Sequence, residues 1–247
     1  MRRFGRLSLL WCVFMIFGAT LVTAQEGFEE LFRVPPTNDW HVADYDFSHP
    51  HFDTDWSRKQ VHLDDGVQLS LSPKSTGKNG FAGASIRRTA TTHYGRYEVE
   101  MQPARGEGVI TGFFTYTGRY YGTRHDEIDI EFLGKDTTKL HVAWFVDGVL
   151  NNRFIDLGFD AAEKPRAYAF EWLPDRIRWY AEDTLIFEVT SADARLPEVP
   201  GFLFANIWAA SPALDTWSGT PAPTTNADAF VGAIRFIPLS DLPDQIS

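Results

Sequence analysis

Glu127, Asp129 and Glu131 stand two residues apart in the stretch Asp126-Glu127-Ile128-Asp129-Ile130-Glu131-Phe132-Leu133-Gly134. Ile128, Ile130 and Phe132 alternate with them. A period of two is that of a β-strand; a helix would scatter the three apolar residues around its circumference. The pattern predicts a strand that sends three carboxyls from one face and three apolar side chains into a core. A solvated acidic face would show the same letters, but like charges crowded on one face repel. Crowding raises the pKa of at least one carboxyl, so an acid and a carboxylate can coexist at one pH. A carboxylic acid beside a carboxylate nucleophile is what hydrolysis of a glycosidic bond requires.

Such a strand needs neighbours to hold it. Short candidates recur at near-regular spacing: 60–63, 67–72, 83–88, 94–101, 109–116, 127–133, 140–146, 153–157, 167–173, 176–181, 185–189, 202–208 and 229–237. Turn residues such as Asp64-Asp65-Gly66, Asp147-Gly148 and Pro174-Asp175 separate them. No helical period persists. The expected fold is an all-β sandwich, a curved jelly roll of the concanavalin A-like kind, whose concave face would form a substrate cleft. Residues 25–55, rich in Pro, Asp, His and aromatics, read as a loop-rich wrap over it rather than a separate domain.

Residues 1–24 read as a secretory signal: Arg2, Arg3 and Arg6, an apolar run from Leu7 to Val22, and small residues up to Ala24. Cleavage there leaves a single domain, 25–247, that is secreted or periplasmic and monomeric, without a membrane anchor. The one cysteine, Cys12, goes with the signal, so no disulfide or thiol chemistry is expected. The formal net charge is −10, and losing three arginines takes it to −13, a poor balance for nucleic acid. Aromatics make up 15% of the chain, enough to supply both a core and flat platforms for sugar rings. On alternation, Phe114 shares a face with Tyr116, and Phe145 with His141 and Ala143.

The residues 126–134, with the segments Tyr94 to Gly118, Asp126 to Lys139 and Leu157 to Tyr180, resemble glycoside hydrolase family 16. The likeness is to bacterial lichenases (endo-β-1,3-1,4-glucanases) and succinoglycan-depolymerising glycanases, and spans roughly Trp56 to Trp217. It implies a concave sheet that binds a β-linked polysaccharide and cleaves internal bonds with retention. Glu127 would be the nucleophile, Asp129 the assisting acid and Glu131 the general acid/base. Arg87, Phe114, Tyr116, Asn206, Trp208 and Trp217 fall on substrate-contact positions; His125, His141 and Phe145 share the acids' face and join them. No cofactor or metal is implied by the chemistry.

Several positions depart from the lichenase pattern. His125 replaces a Trp, and with Phe145 it resembles plant xyloglucan endotransglycosylases. His141 and Ala143 replace Gln and Asn, and Ser85 replaces Glu. Thr54 and Gly83 occupy the lichenase disulfide positions, and Gly232 a calcium-linked Asp. Two other functions therefore share this framework: a transglycosylase, and a non-catalytic sugar-binding module.

Overall fold

The alternation is realised strand by strand in the computed structural model, which describes residues 25–33, 38–63 and 65–243. The signal expected at 1–24 lies outside the described residues. The strands are β1 (Phe28–Glu30), β2 (Trp40–Val42), β3 (Thr54–Trp56), β4 (Val61–Leu63), β5 (Val67–Pro73), β6 (Phe81–Thr92), β7 (Gly95–Gln102), β8 (Val109–Thr117), β9 (Asp126–Leu133) and β10 (Lys139–Val146). They continue as β11 (Val149–Asp156), β12 (Arg166–Trp172), β13 (Arg176–Ala181), β14 (Thr184–Thr190), β15 (Gly201–Ala209) and β16 (Ala227–Pro238), with one short helix, α1 (Asp215–Ser218).

One layer has the order β11-β10-β9-β8-β15-β6, with β2 added on β6; the other runs β5-β16-β7-β12-β13-β14, with β1 on β16 and β4 on β5. The long β6 belongs to both. Its start pairs with β5, and from Ala84 onward it pairs with β15. Rings from the two layers meet between them: Phe113 against Phe170, Phe132 against Tyr168, Trp144 against Trp179. The architecture is the expected curved sandwich.

Ile128, Ile130 and Phe132 are 0% exposed. Each such burial is worth about 1.5–3 kcal/mol, which commits β9 to one register, since a one-residue slip would bury the acids instead. Trp179 of the opposite layer donates its Nε1–H to the Asp129 carbonyl at 3.0 Å, fixing the strand at its midpoint. Asp126, 2% exposed, fixes its start. Its carboxylate takes Arg124 at 3.0 Å and the backbone N–H groups of Asp147, Glu198 and Val199. Burial alone would raise its pKa, but these four partners pull it below the ordinary Asp value. At the other end Gly134 lies against another stretch of backbone, where a Cβ would come within 2.6 Å of the Gly106 carbonyl.

The expected turn at Asp147-Gly148 is a two-residue hairpin with φ of 54° and 77°, both positive as a type I′ turn requires. It returns β11 as the free edge of the acid-bearing layer. The N-terminal wrap carries more order than expected: β1, β2 and β3 pair with β16 and β6. Thr54 and Gly83 do meet, and a Cβ on Gly83 would sit 2.7 Å from Thr54 Cγ2. Here the Thr54 hydroxyl joins the strands instead, bonding the Ala209 carbonyl and N–H at 3.1 and 2.7 Å. Gly232 is the bulged residue of β16, passed over between the pairs Val231–Met101 and Ala233–Glu100.

Candidate active site

Antiparallel register puts a defined set of side chains on the acids' face. Glu127 lies between Tyr116 on β8 and Phe145 on β10; Asp129 between Phe114 and Ala143; Glu131 between Gly112 and His141. The next strand on the β8 side, β15, adds Phe202, Phe204 and Asn206 beside Tyr116, Phe114 and Gly112. Arg87 and Ser85 of β6 follow beside Phe204 and Asn206. On the other side β11 presents Leu150, Asn152 and Phe154 beside Phe145, Ala143 and His141.

The outer acids each hold a histidine. His125 Nε2 lies 2.5 Å from Glu127 Oε2, and His141 Nδ1 lies 3.0 Å from Glu131 Oε2. His125 is locked flat against Phe145, with centroids 4.7 Å apart, and edge-on to Tyr116 at 5.2 Å. His141 packs between Phe154 at 4.6 Å and the edge of Trp217 at 5.4 Å.

Asp129 is the deepest of the three, 4% exposed. Burial, then the charges of Glu127 and Glu131, push its pKa well above the ordinary Asp value. Burial also raises Glu127; hydrogen bonds from His125 and Asp129 offset part of this, and it stays above the ordinary Glu value. Of the two, Asp129 is pushed the further and holds the proton that it shares with Glu127. Asp129 Oδ2 has no hydrogen-bond partner. Its neighbour on β10 is the methyl group of Ala143. Burial and the Glu127 charge also raise the Tyr116 phenol.

This crowding carries a stability consequence with a definite sign. A carboxyl whose folded pKa lies above its unfolded value favours the protonated protein. The penalty is absent below the unfolded pKa and grows as pH rises toward the folded one. Asp129→Asn removes the penalty and keeps a donor toward Glu127. We expect a higher Tm at pH 7, by about 2–4 °C per kcal/mol relieved, and a difference that fades toward pH 4. Thermal melts at both pH values check this; a neutral-pH Tm below the parent's would count against a protonated Asp129.

The remaining expected contact residues differ in packing and exposure. Arg87 lies over the Phe202 ring at 4.5 Å and the Tyr121 ring at 5.8 Å. Phe114 stacks on Phe204 at 5.0 Å with the planes 4° apart. Asn206 is 5% exposed and its Oδ1 has no partner; it occupies the space left by Gly112, where a Cβ would lie 2.9 Å from it. Trp208 differs from the expectation of an open cleft wall. It is 5% exposed, stacked on Phe52 at 4.0 Å, in a small separate core with Trp56 and Ile110. The N-terminal segment folds over that end of the acid-bearing face and covers it. Trp217, half-buried, packs on Trp208 at 6.4 Å and reaches toward His141. Phe202, Phe204 and Tyr121 were not anticipated. The two phenylalanines share the alternation of Asn206 and Trp208, which could have found them; Tyr121 ends a one-turn 3₁₀ helix, Arg119–Tyr121, too short to carry a periodic signal.

Two carboxyls that act on one anomeric carbon must approach it from opposite sides. A sugar chain held between Glu127 and Glu131 therefore crosses the strands rather than following them. On the face that such a chain would cross, Asp129 is followed by Phe114, Phe204 and Arg87 in one direction and by Ala143 and Asn152 in the other.

The family model for glycosyl hydrolases family 16 matches residues 48–228. A beta-glucanase of Brevibacillus brevis is 35% identical over 245 residues, 95% of this chain and 93% of that protein. The solved Bacillus licheniformis beta-glucanase superimposes with a TM-score of 0.79 at 37% identity, covering 86% of this chain and 98% of that one. A β-1,3-1,4-glucanase (lichenase) from a mouse hindgut metagenome gives 0.82 at 34% identity, over 86% and 99%. With the family model over most of its length and relatives of this identity, the chain belongs to family 16 of the glycosyl hydrolases.

Proposed function

We propose that the protein is an endo-acting β-glucanase that cleaves with retention through a covalent glycosyl-enzyme. Glu127 is the nucleophile, Asp129 its proton-bearing assistant and Glu131 the general acid/base. The observation that carries the reading is the triad's placement: Glu127, Asp129 and Glu131 share one face of β9, with Asp129 buried between the two glutamates and its pKa pushed well above the ordinary value. An ionised Glu127 can attack the anomeric carbon. Glu131, two positions further along the same face, is free to protonate the departing oxygen. Four residues of strand separate the outer Cα atoms by about 13 Å, so both side chains must lean inward for the carboxyls to reach the roughly 5–5.5 Å of a retaining pair.

A floor that continues across several strands on both sides of the triad suits internal cleavage of a polymer. The relatives named beta-glucanase and lichenase favour a β-glucan, with mixed β-1,3-1,4 linkage first. The leader at 1–24 supports export, so the enzyme works outside the cytoplasm as a monomer. Among the described residues no helix is long and apolar enough to cross a membrane.

The test is reducing-sugar release from mixed-linkage glucan, laminarin, xyloglucan and succinoglycan, with the first-formed anomer followed by NMR. We expect mixed-linkage glucan to be cut fastest and the β-anomer to appear first. The α-anomer first would remove the retaining mechanism, and silence on all four would remove the glucanase. The stack of His125 on Phe145 keeps transglycosylation as a second reading; added acceptor oligosaccharides would then give products longer than the substrate.

A further inference from the structure

His125 stands one alternation before the nucleophile, so its side chain and that of Glu127 leave β9 on the same face. Phe145 covers one side of the imidazole and Tyr116 meets it edge-on, while the Gly148 N–H holds its backbone carbonyl at 2.9 Å. The ring has one productive contact, Nε2 to Glu127 Oε2 at 2.5 Å. An ionised carboxylate only accepts, so His125 donates. Glu127 thus receives two donors, His125 and the protonated Asp129. They are not held equally well. Asp129 has a free oxygen against Ala143, whereas His125 is clamped on three sides. The other groups facing this pair are the Tyr116 phenol and, across Asp129, Glu131; no Lys or Arg among the described residues forms an ion pair with Glu127.

We propose that His125 is the positioning residue that makes Glu127 a good leaving group in the second half of the reaction. The inference rests on the reading of Glu127 as nucleophile. In the glycosyl-enzyme the anomeric carbon is bonded to a Glu127 oxygen. Water adds to that carbon while its proton passes to Glu131. The carbon–oxygen ester bond breaks, and its electron pair returns to the Glu127 carboxylate. The negative charge that develops there is received by the His125 N–H and the Asp129 O–H. A donor to a forming carboxylate stabilises the transition state of this step. In the first step the same donor opposes attack, because it favours the free carboxylate being consumed. Losing it therefore slows breakdown of the intermediate more than its formation.

The test uses the whole mature enzyme and a dinitrophenyl β-oligoglucoside, whose leaving group needs no protonation. His125→Phe keeps the ring and its stack on Phe145 but has no N–H. We expect its deglycosylation constant to fall roughly ten- to hundredfold, the weight of one hydrogen bond to a charged acceptor, with the glycosylation constant falling less. The signature is a larger burst of dinitrophenolate, with kcat and KM falling together. His125→Asn, which restores an N–H, should recover part of the deglycosylation rate. A parallel incubation with a 2-deoxy-2-fluoro glycoside reports on the nucleophile separately. If the label is found on Glu127 but His125→Phe slows both steps equally, or neither, the positioning role is wrong and the nucleophile stands. If the label lands elsewhere, the reading beneath the proposal fails first. A variant that is misfolded by circular dichroism leaves the decision to His125→Asn, whose deglycosylation constant should lie closer to the parent's than that of a His125→Ala variant; equality of the two overturns the proposal.

Discussion

Glu127→Ala is expected to lose turnover of β-glucan by roughly 10⁴-fold or more, since a covalent path without its nucleophile has no substitute within reach. Asp129 does not replace it: it is buried and keeps its proton. His125 does not replace it either, because its ring is held in place by Phe145 and Tyr116. Oligosaccharide affinity should survive, because the floor of Phe114, Phe204 and Arg87 is untouched. Truncation leaves a hole on the side of the sugar from which attack comes. Azide fits that hole and is a strong enough nucleophile at neutral pH, with Glu131 still present to protonate the departing oxygen. The product is an α-glycosyl azide, inverted relative to the substrate. Calorimetric binding, residual rates and NMR of the azide product check each part. More than a few per cent of the parental rate in the purified variant would end the assignment.

Much of this site was legible in the letters because a strand has period two. The three acids, Ile128, Ile130 and Phe132 all fall where alternation puts them, and His125, Tyr116 and Phe145 follow from the parity of their own strands. What escaped has physical reasons. β1, β2 and β3 are three residues each, too short for alternation to register. They owe their existence to backbone pairing with β16 and β6. Trp208 lies on the correct face, but the covering of that face by Phe52 and its segment is a long-range event that no local pattern announces. The proton on Asp129 is of the same kind. The sequence shows that carboxyls crowd; the depth of Asp129, together with the charges of Glu127 and Glu131, is what pushes its pKa up the most. The departures from the lichenase pattern also gain meaning as a set: polar support is absent from the far oxygen of Asp129 and present, as His125, on the nucleophile.

Glu131→Ala should separate the two halves of the reaction by leaving group. A β-glucan departs as an alcohol and needs a proton, so its hydrolysis should fall by roughly 10²–10⁴-fold, the usual weight of a general acid. A dinitrophenyl glycoside departs without help, so Glu127 should still be glycosylated at a rate near the parent's. The intermediate then waits, because the group that would take a proton from the incoming water is gone. Steady-state turnover becomes slow, KM drops with it, and the glycosyl-enzyme accumulates enough to be seen by mass spectrometry of the intact protein. Here azide enters from the side vacated by Glu131 and attacks the intermediate without base catalysis. Its product is the β-glycosyl azide, retained relative to the substrate and opposite to that of Glu127→Ala. His141 does not rescue the variant, because it is 4% exposed and wedged between Phe154 and Trp217. The two azide products test the triad as a whole. Opposite configurations require nucleophile and acid/base on opposite faces of the ring, which places the sugar chain across β9. The same configuration from both variants would mean that the two carboxyls attend one face, and the crossing geometry would be lost with it.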